Sequence, residues 1–351
     1  MLERHAAMLW EAVPDGGAEG AVRCNLCAHR CLIREGRKGI CLVRENVNGE
    51  LFSLVYGRVI SANVDPVEKK PLFHFYPGSG AFSIATVGCN YRCQWCQNWQ
   101  ISQAARNEHL VLGSQQAPPQ ELVAMARRAG CHSIAYTYTE PTIFFEYAYD
   151  TAKLAHAAGI ANIFVTNGYM TAETLEIIQP YLDAANVDLK AFRDETYRKL
   201  IGARLQPVLD SVVRMKESGV WVEVTTLVIT DLNDSDEELS QIAAFIHDEL
   251  GPDTPWHVSR YHPTYKYDAP PTPIERLARA WEIGRETGLH YVFVGNVPGR
   301  MLPRGVEGES TYCHNCTARL IARWGYSIRQ NRVHDGACPE CGAPVAGVGL
   351  G

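Results

Sequence analysis

Eight consecutive residues carry the clearest chemistry in this chain: Cys89-Asn90-Tyr91-Arg92-Cys93-Gln94-Trp95-Cys96. Their three cysteines stand in a C-x3-C-x2-C spacing. A trans backbone spans at most roughly 3.3–3.6 Å per residue, so this loop can wrap only one compact object. Three thiolates can hold three irons of a four-iron four-sulfur cube, which leaves the fourth iron open to a small ligand. A zinc knuckle would instead favour C-x2-C pairs and four ligands.

Eight of the remaining cysteines form two sets of four. The first is Cys24-x2-Cys27-x3-Cys31-x9-Cys41, interleaved with Arg23, Arg30, Arg34, Arg37, Lys38 and Arg44, whose charge would offset that of the thiolates. Four thiolates in so short a stretch make a closed site, for structural zinc or for an auxiliary iron–sulfur cluster. The second set pairs Cys313-x2-Cys316 with Cys338-x2-Cys341, 21 residues apart. Paired knuckles at that distance read as a zinc ribbon, with rubredoxin-like iron as the alternative. His314 and His334 lie near but are not needed, because four cysteines fill a tetrahedral shell. Cys131 stands alone and reads as a buried thiol.

The chain has 351 residues, of which 46% are hydrophobic, and a net charge of −6. That size supports one large domain with small appendages. The acidic balance argues against a chain-wide nucleic-acid surface. The N-terminal stretch lacks the apolar core of a signal peptide, and no apolar run approaches a membrane span. Grouped cysteines in such a chain point to metal sites in a reducing, cytoplasmic compartment rather than to disulfides.

Repeated strand-then-helix units must position the central loop. Strands are expected at 51–60, 82–87, 133–138, 162–166, 186–190, 221–229, 256–261 and 291–294. Residues 1–13 are expected as a short amphipathic helix ended by Pro14, then a flexible Gly-rich stretch, 15–20. Residues 65–78 read as extended. Between strands, a helix is expected from Pro119 to Ala129, stopping at Gly130. Another starts at Ser235 with Glu238 as its capping box, and a third at Thr272 with Pro273 in the first position and Glu275 completing the box. Repeated β–α units argue for a parallel sheet or barrel. The expected fold is α/β, a partial (β/α)6-type TIM barrel. It spans 51–300, between an N-terminal four-cysteine module, 1–50, and a zinc-ribbon-like module, 301–351. In such folds polar residues gather at the C-terminal ends of strands. Here they are the cysteine loop, Thr139-Glu140, Thr166-Asn167, Asp188 and Lys190, Arg260 to His262, and Gly295-Asn296.

Those strings resemble one family. Gly-Cys-Asn-Tyr-Arg-Cys-Gln-Trp-Cys-Gln-Asn-Trp-Gln-Ile-Ser (88–102), Asp-Pro-Val-Glu-Lys-Lys-Pro-Leu-Phe-His-Phe (65–75) and Tyr-Thr-Tyr-Thr-Glu-Pro-Thr (136–142) resemble the AmmeMemoRadiSam system radical SAM enzymes. Asp-Leu-Lys (188–190), Pro-Trp-His-Val-Ser-Arg-Tyr-His-Pro (255–263) and Val-Gly-Asn-Val-Pro-Gly (294–299) extend the likeness. These enzymes are related to the pyruvate formate-lyase activating enzymes.

The resemblance implies a radical SAM oxidoreductase. Its cluster, on Cys89, Cys93 and Cys96, binds S-adenosylmethionine (SAM) through the open iron. It cleaves SAM reductively to a 5′-deoxyadenosyl radical, which abstracts hydrogen from a substrate. Glu140 would take the SAM ammonium, at the acidic end of a Gly-Gly-Glu motif whose glycines are here Tyr138 and Thr139. Asp188 and Lys190 would help hold SAM, His262 would lie near the adenosyl group, Thr166 near the ribose and Trp95 by the adenine. Thr225 stands where the activating enzymes carry an arginine. Implied partners are an electron donor such as flavodoxin or ferredoxin, and Memo-like and Amme-type proteins. A glycyl-radical protein as substrate, and a metal-bearing interaction scaffold, are the competing readings.

Overall fold

The computed structural model describes residues 4–13, 20–106, 115–297, 299, 301–302 and 305–351. The expected Gly-rich stretch after Pro14 lies outside the described residues up to 19, as does Pro298.

The frame is one eight-stranded sheet in sequential order: β1 (Ser61–Pro66), β2 (Gly80–Ala85), β3 (Ser133–Tyr136), β4 (Ala161–Thr166), β5 (Ala184–Asp188), β6 (Trp221–Val228), β7 (Trp256–Arg260) and β8 (Val292–Gly295). Strands β2 to β8 run parallel, and β1 pairs antiparallel with β2, opposing Asp65 to Ala81. Helices follow β2 to β7 in turn: α1 (Pro119–Arg128), α2 (Phe145–Ala157), α3 (Ala172–Ile178), α4 (Gln206–Glu217), α5 (Asp236–Phe245) and α6 (Ile274–Thr287). The sheet does not close, since β1 and β8 are not neighbours in it. This is the α/β parallel architecture expected, with six strand–helix units and one further parallel strand. The α1 helix stops where expected, at Gly130 with φ +64°. Cys131 is buried.

One face of the sheet is floored by the segment 67–75. Val67, Leu72 and Phe75 pack on Ala81, Ala135, Ile163 and Ala184, whose mostly small side chains leave room for the chain to cross. Burying each of the large apolar side chains contributes about 1.5–3 kcal/mol. Glu223 on β6 accepts the backbone N–H groups of Phe73 and His74 at 2.9 and 2.8 Å, and Asn186 donates to the Pro71 carbonyl at 2.8 Å. The segment expected as extended is therefore a strand to Pro66, a 3-10 turn over Val67–Lys69, and then this floor.

Three expectations are corrected. Residues 5–12 are not helical but form short strands, His5–Ala6 and Trp10–Ala12, and Leu9 between them has φ +52°. Trp10–Ala12 is held by pairing with Val22–Cys24, a tertiary contact that overrides local preference. The strand expected over 51–60 is split into Glu50–Ser53 and Arg58–Val59, because the chain turns at Gly57 with φ +68°. The capping box at Thr272 does not form. Its hydroxyl accepts from Tyr261 N–H at 2.9 Å and donates to Val228 C=O at 2.5 Å, and the helix begins at Ile274. At α5 the box is half made. The Ser235 hydroxyl accepts from Glu238 N–H at 3.3 Å, while the Glu238 carboxylate turns away to Phe192 N–H and Arg193.

The N-terminal segment docks on the sheet's upper loops. The buried Arg44 bonds Glu146 of α2 at 2.7 Å, and Thr171 and Thr174 donate to the carbonyls of Asn25 and Leu26. The C-terminal segment, with antiparallel strands Thr311–Tyr312, Arg319–Trp324 and Ser327–Asn331, packs against the floor. Its Arg323 donates to the Phe73 carbonyl at 2.6 Å. No described helix is long and apolar enough to cross a membrane.

Candidate functional site

The cysteine loop leaves the C-terminal end of β2 through Gly88. Its φ of +98° is one that glycine adopts freely, and an added Cβ would lie 2.8 Å from Val43 and 3.0 Å from the Cys41 carbonyl oxygen. Backbone bonds then fix the loop from several sides. Arg92 N–H donates to Ile201 C=O at 2.8 Å, Gln94 N–H to Leu200 C=O at 3.2 Å, and Lys266 N–H to Gln94 C=O at 2.9 Å. Tyr91 N–H points at Cys89 Sγ at 3.4 Å, and Cys96 Sγ lies 3.3 Å from the Ser102 hydroxyl. Cys93 is buried, and Cys89 and Cys96 are half-buried.

Around the thiols stand opposite charges. Asp188 and Lys190, two apart at the end of β5, form an ion pair of 2.9 Å beside Cys93. Burial pushes the Cys93 thiol up to about 12 while Lys190 opposes that rise. Burial pulls the Lys190 ammonium down, but Asp188 and Cys93 together hold it above its ordinary range. Burial and the nearby Glu140 raise Cys89 as well. Thiols in such a setting ionise when a metal cation supplies the compensating charge.

Glu140 follows β3 and is buried. One oxygen accepts from Thr142 N–H at 3.0 Å, the Thr142 hydroxyl at 2.5 Å and the Thr166 hydroxyl at 2.8 Å; the other accepts from Asn167 N–H at 2.8 Å. Burial raises its carboxyl despite these bonds. The carboxylate thus ties the ends of β3 and β4 together, and the Thr166 hydroxyl is committed to it. Trp95 is buried with its ring edge-on to Tyr267, at 5.6 Å between centroids. His262 stands exposed on the loop after β7, outside this bonded set. The Thr225 hydroxyl is buried on β6 with no hydrogen-bond partner among the described residues.

Several contributors carried no sequence signal. Asn90, after the first cysteine, accepts from the Asn167 amide at 2.9 Å. Tyr138 has φ +63°, in the left-handed region that glycine favours. Asn98 pins the Tyr138 carbonyl at 2.8 Å, and the Tyr138 hydroxyl donates to Asp65. Asp65 also takes Lys69 at 2.7 Å and Lys70 at 2.6 Å. Burial works against its charge, yet the two lysines and Tyr138 hold the Asp65 carboxyl below the usual range, while burial pulls Lys70 down to about 8. The Asp-Pro-Val-Glu-Lys-Lys string was legible; that it braces Tyr138 was not.

At the far end, Cys313, Cys316, Cys338 and Cys341 lie with all four sulfurs within 4.8 Å of one another, the one such cysteine set among the described residues. Cys313 faces Cys341, and Cys316 faces Cys338, at 3.6 Å. The two knuckles repeat one bonding pattern. Cys313 N–H donates to Ala318 C=O and Thr317 N–H to Cys313 C=O; Cys338 N–H donates to Ala343 C=O and Gly342 N–H to Cys338 C=O. The backbone N–H of Ala343 and the Asn315 side chain pull Cys341 down to about 6. A single zinc or iron ion fits this shell.

Residues 83–246, which include the cysteine loop, match the model of the Radical SAM superfamily. The uncharacterized protein MJ0808 of Methanocaldococcus jannaschii is 44% identical over 342 residues, 97% of this chain and 98% of that one. The pyruvate formate-lyase-activating enzyme of Clostridium pasteurianum is 23% identical over 168 residues, 45% of this chain and 66% of that one. A crystal structure of Streptococcus suis SuiB bound to precursor peptide SuiA overlaps 66% of this chain and 52% of that one, at 15% identity and a TM-score of 0.49. Radical SAM enzymes use SAM and an iron–sulfur cluster. Over nearly its whole length this chain belongs to one family with MJ0808, and its residues 83–246, with the three-cysteine loop at the end of β2, match the radical SAM superfamily.

Proposed function

We propose that Cys89, Cys93 and Cys96 would hold a four-iron cluster whose open iron would be chelated by SAM. When bound, the cluster supplies the electron that splits SAM into methionine and a 5′-deoxyadenosyl radical, which takes a hydrogen atom from the substrate. Lys190 and Asp188 offset charge beside Cys93, and Lys190 stays protonated. The second oxygen of Glu140, with one bond from Asn167 N–H, keeps a lone pair for the SAM ammonium. Thr166 acts through Glu140 by fixing its carboxylate. Trp95 walls the adenine side, and His262 approaches the adenosyl group from the β7 loop. Protein groups of this kind orient the cofactor and keep water out while the cofactor does the chemistry.

The observation that carries this reading is the cysteine triad at a strand's C-terminal end, with an acid–base pair beside Cys93 and a carboxylate near Cys89. Anaerobic reconstitution tests it. The reduced protein is expected to form 5′-deoxyadenosine from SAM, and Cys93→Ala to lose about four irons and that activity. Unchanged iron in the variant would overturn it.

We assign a one-electron donor of the flavodoxin or ferredoxin class, a cytoplasmic setting suited to reduced thiols, and zinc at the C-terminal knuckles. We take 1–50, 51–300 and 301–351 as the three modules. A place beside Memo-like and Amme-type proteins rests on the sequence resemblance. The second reading, an oxidoreductase that activates a glycyl-radical protein, is favoured by the name of the Clostridium relative. It requires a glycine-centred radical on a partner protein, seen by electron paramagnetic resonance.

A further inference from the structure

The N-terminal cysteines are arranged unlike the C-terminal ones. Cys24 is buried, and Cys27, Cys31 and Cys41 are half-buried. Cys24 N–H donates to Cys31 C=O at 2.9 Å, which sets these two side by side. Backbone N–H groups of His29, Ile40 and Val43 point at the sulfurs of Cys27, Cys31 and Cys41. Yet, among the described residues, these four thiols do not converge into one tight set as the C-terminal four do. A zinc ion with bonds of about 2.3 Å holds its four sulfurs roughly 3.8 Å apart. A cube that gives each thiolate its own iron spreads them further, on the order of 6 Å.

The space between the thiols is a cavity of about 20 Å³. That space admits a water-sized group with room to move. Its walls include the four cysteines, Arg44 and Asn90, together with apolar side chains such as Leu26, Ile33 and Ile143. Arg44 and Asn90 both line it, and among the described residues Arg44 Nε and Asn90 Nδ2 have no hydrogen-bond partner. Arg44 is 2% exposed and Asn90 1%. A buried donor with nothing to accept from it is destabilising, because it has given up its water without replacement. Bridging sulfides of an anionic cluster are acceptors of that kind; a zinc ion already enclosed by four thiolates offers none.

We propose that Cys24, Cys27, Cys31 and Cys41 hold a second iron–sulfur cluster, with Arg44 and Asn90 donating to its sulfur atoms. The cavity shares a wall with the catalytic loop. Asn90 is the residue after Cys89, Gly88 abuts the Cys41 carbonyl, and His29 bonds the Asn90 carbonyl at 2.8 Å. The site stands on its own donor geometry and does not require the catalytic reading to hold.

The test uses the full chain with Cys89, Cys93 and Cys96 all replaced by alanine, which leaves the N-terminal set intact. Iron, acid-labile sulfide and zinc are counted after anaerobic purification, with folding checked by circular dichroism. The variant is expected to keep two to four irons with matching sulfide and to give a cluster signal in electron paramagnetic resonance once reduced. Sulfide separates a cluster from rubredoxin-type iron at the C-terminal set, which carries none. A folded variant with two zincs and no sulfide, or with no metal beyond the C-terminal ion, overturns the proposal. If the triple variant does not fold, Cys93→Ala serves with the same counts. Iron that does not fall on either substitution would sink the catalytic reading while sulfide in the variant still upheld this one.

Discussion

The two four-cysteine sets differ in how closely their donors converge. At the C-terminus two knuckles with matching backbone bonds bring sulfurs to 3.6 Å, on a small sheet of their own. At the N-terminus the thiols stand apart around a cavity, and part of its wall comes from the cysteine loop after β2. A shell closed by local turns suits one ion. A cage that borrows a wall from the three-cysteine loop suits a larger group. The two attachments differ as well. The N-terminal side is fastened by a buried ion pair, and the C-terminal side by a buried histidine network.

The sharpest way to break that contrast is Arg44→Met. It leaves Glu146 charged and buried without its partner, and removing one side of such a pair costs about 3–5 kcal/mol. Chemical unfolding should show a loss of that size, and a loss below about 1 kcal/mol would mean the fastening lies elsewhere.

The C-terminal attachment should respond to pH. His74 donates to Ala346 C=O at 2.7 Å and accepts from Thr311 at 3.0 Å, with Glu223, Arg323 and His257 around it. Burial pulls it down to about 4. The unfolded chain takes up that proton near 6.5, so stability is whole above pH 6.5, falls as pH drops towards 4, and levels below. The loss is about 3 kcal/mol at most. His74→Gln should flatten this part of the profile; an unchanged slope would remove His74 from the account.

Gly88→Ala probes the wall between the two cysteine sites. Its Cβ would press on Val43 and the Cys41 carbonyl at a strained φ, for a cost of about 1–3 kcal/mol. Iron at both sites should fall together, whereas loss at one alone would argue against a common wall. The smallest effect is expected for Arg332→Ala, which removes an exposed pair with Glu340 on the ribbon. Thermal unfolding should move by no more than about 1 kcal/mol.

Much of the frame was legible. Apolar runs separated by helix-period segments gave strands β2 to β8 within a few residues, because parallel buried strands read as continuous hydrophobic stretches. The short N-terminal strands were misread as a helix because pairing of His5–Ala6 with Phe52 and Ser53 and of Trp10–Ala12 with Val22–Cys24, not local preference, decides them. Thr272 looked like a helix cap, but its hydroxyl is claimed by Tyr261 and Val228 from other elements. Glu140, Asn167, Asp188 and Lys190 were singled out from type and position. Asn90 and Asn98 were given no role, since a lone asparagine says nothing until its partner is beside it.

By itself, the sequence determined that three thiolates share one short loop and that eight others fall into two sets, because chain length limits how far neighbours can part. Only the tertiary structure decided what each set can enclose. The N-terminal cavity is shaped by Asn90, 49 or more positions beyond the cysteines it faces, and by Arg44, held in place by Glu146, 102 positions away. Donor separation is set by such long-range contacts, and no count of intervening residues contains them.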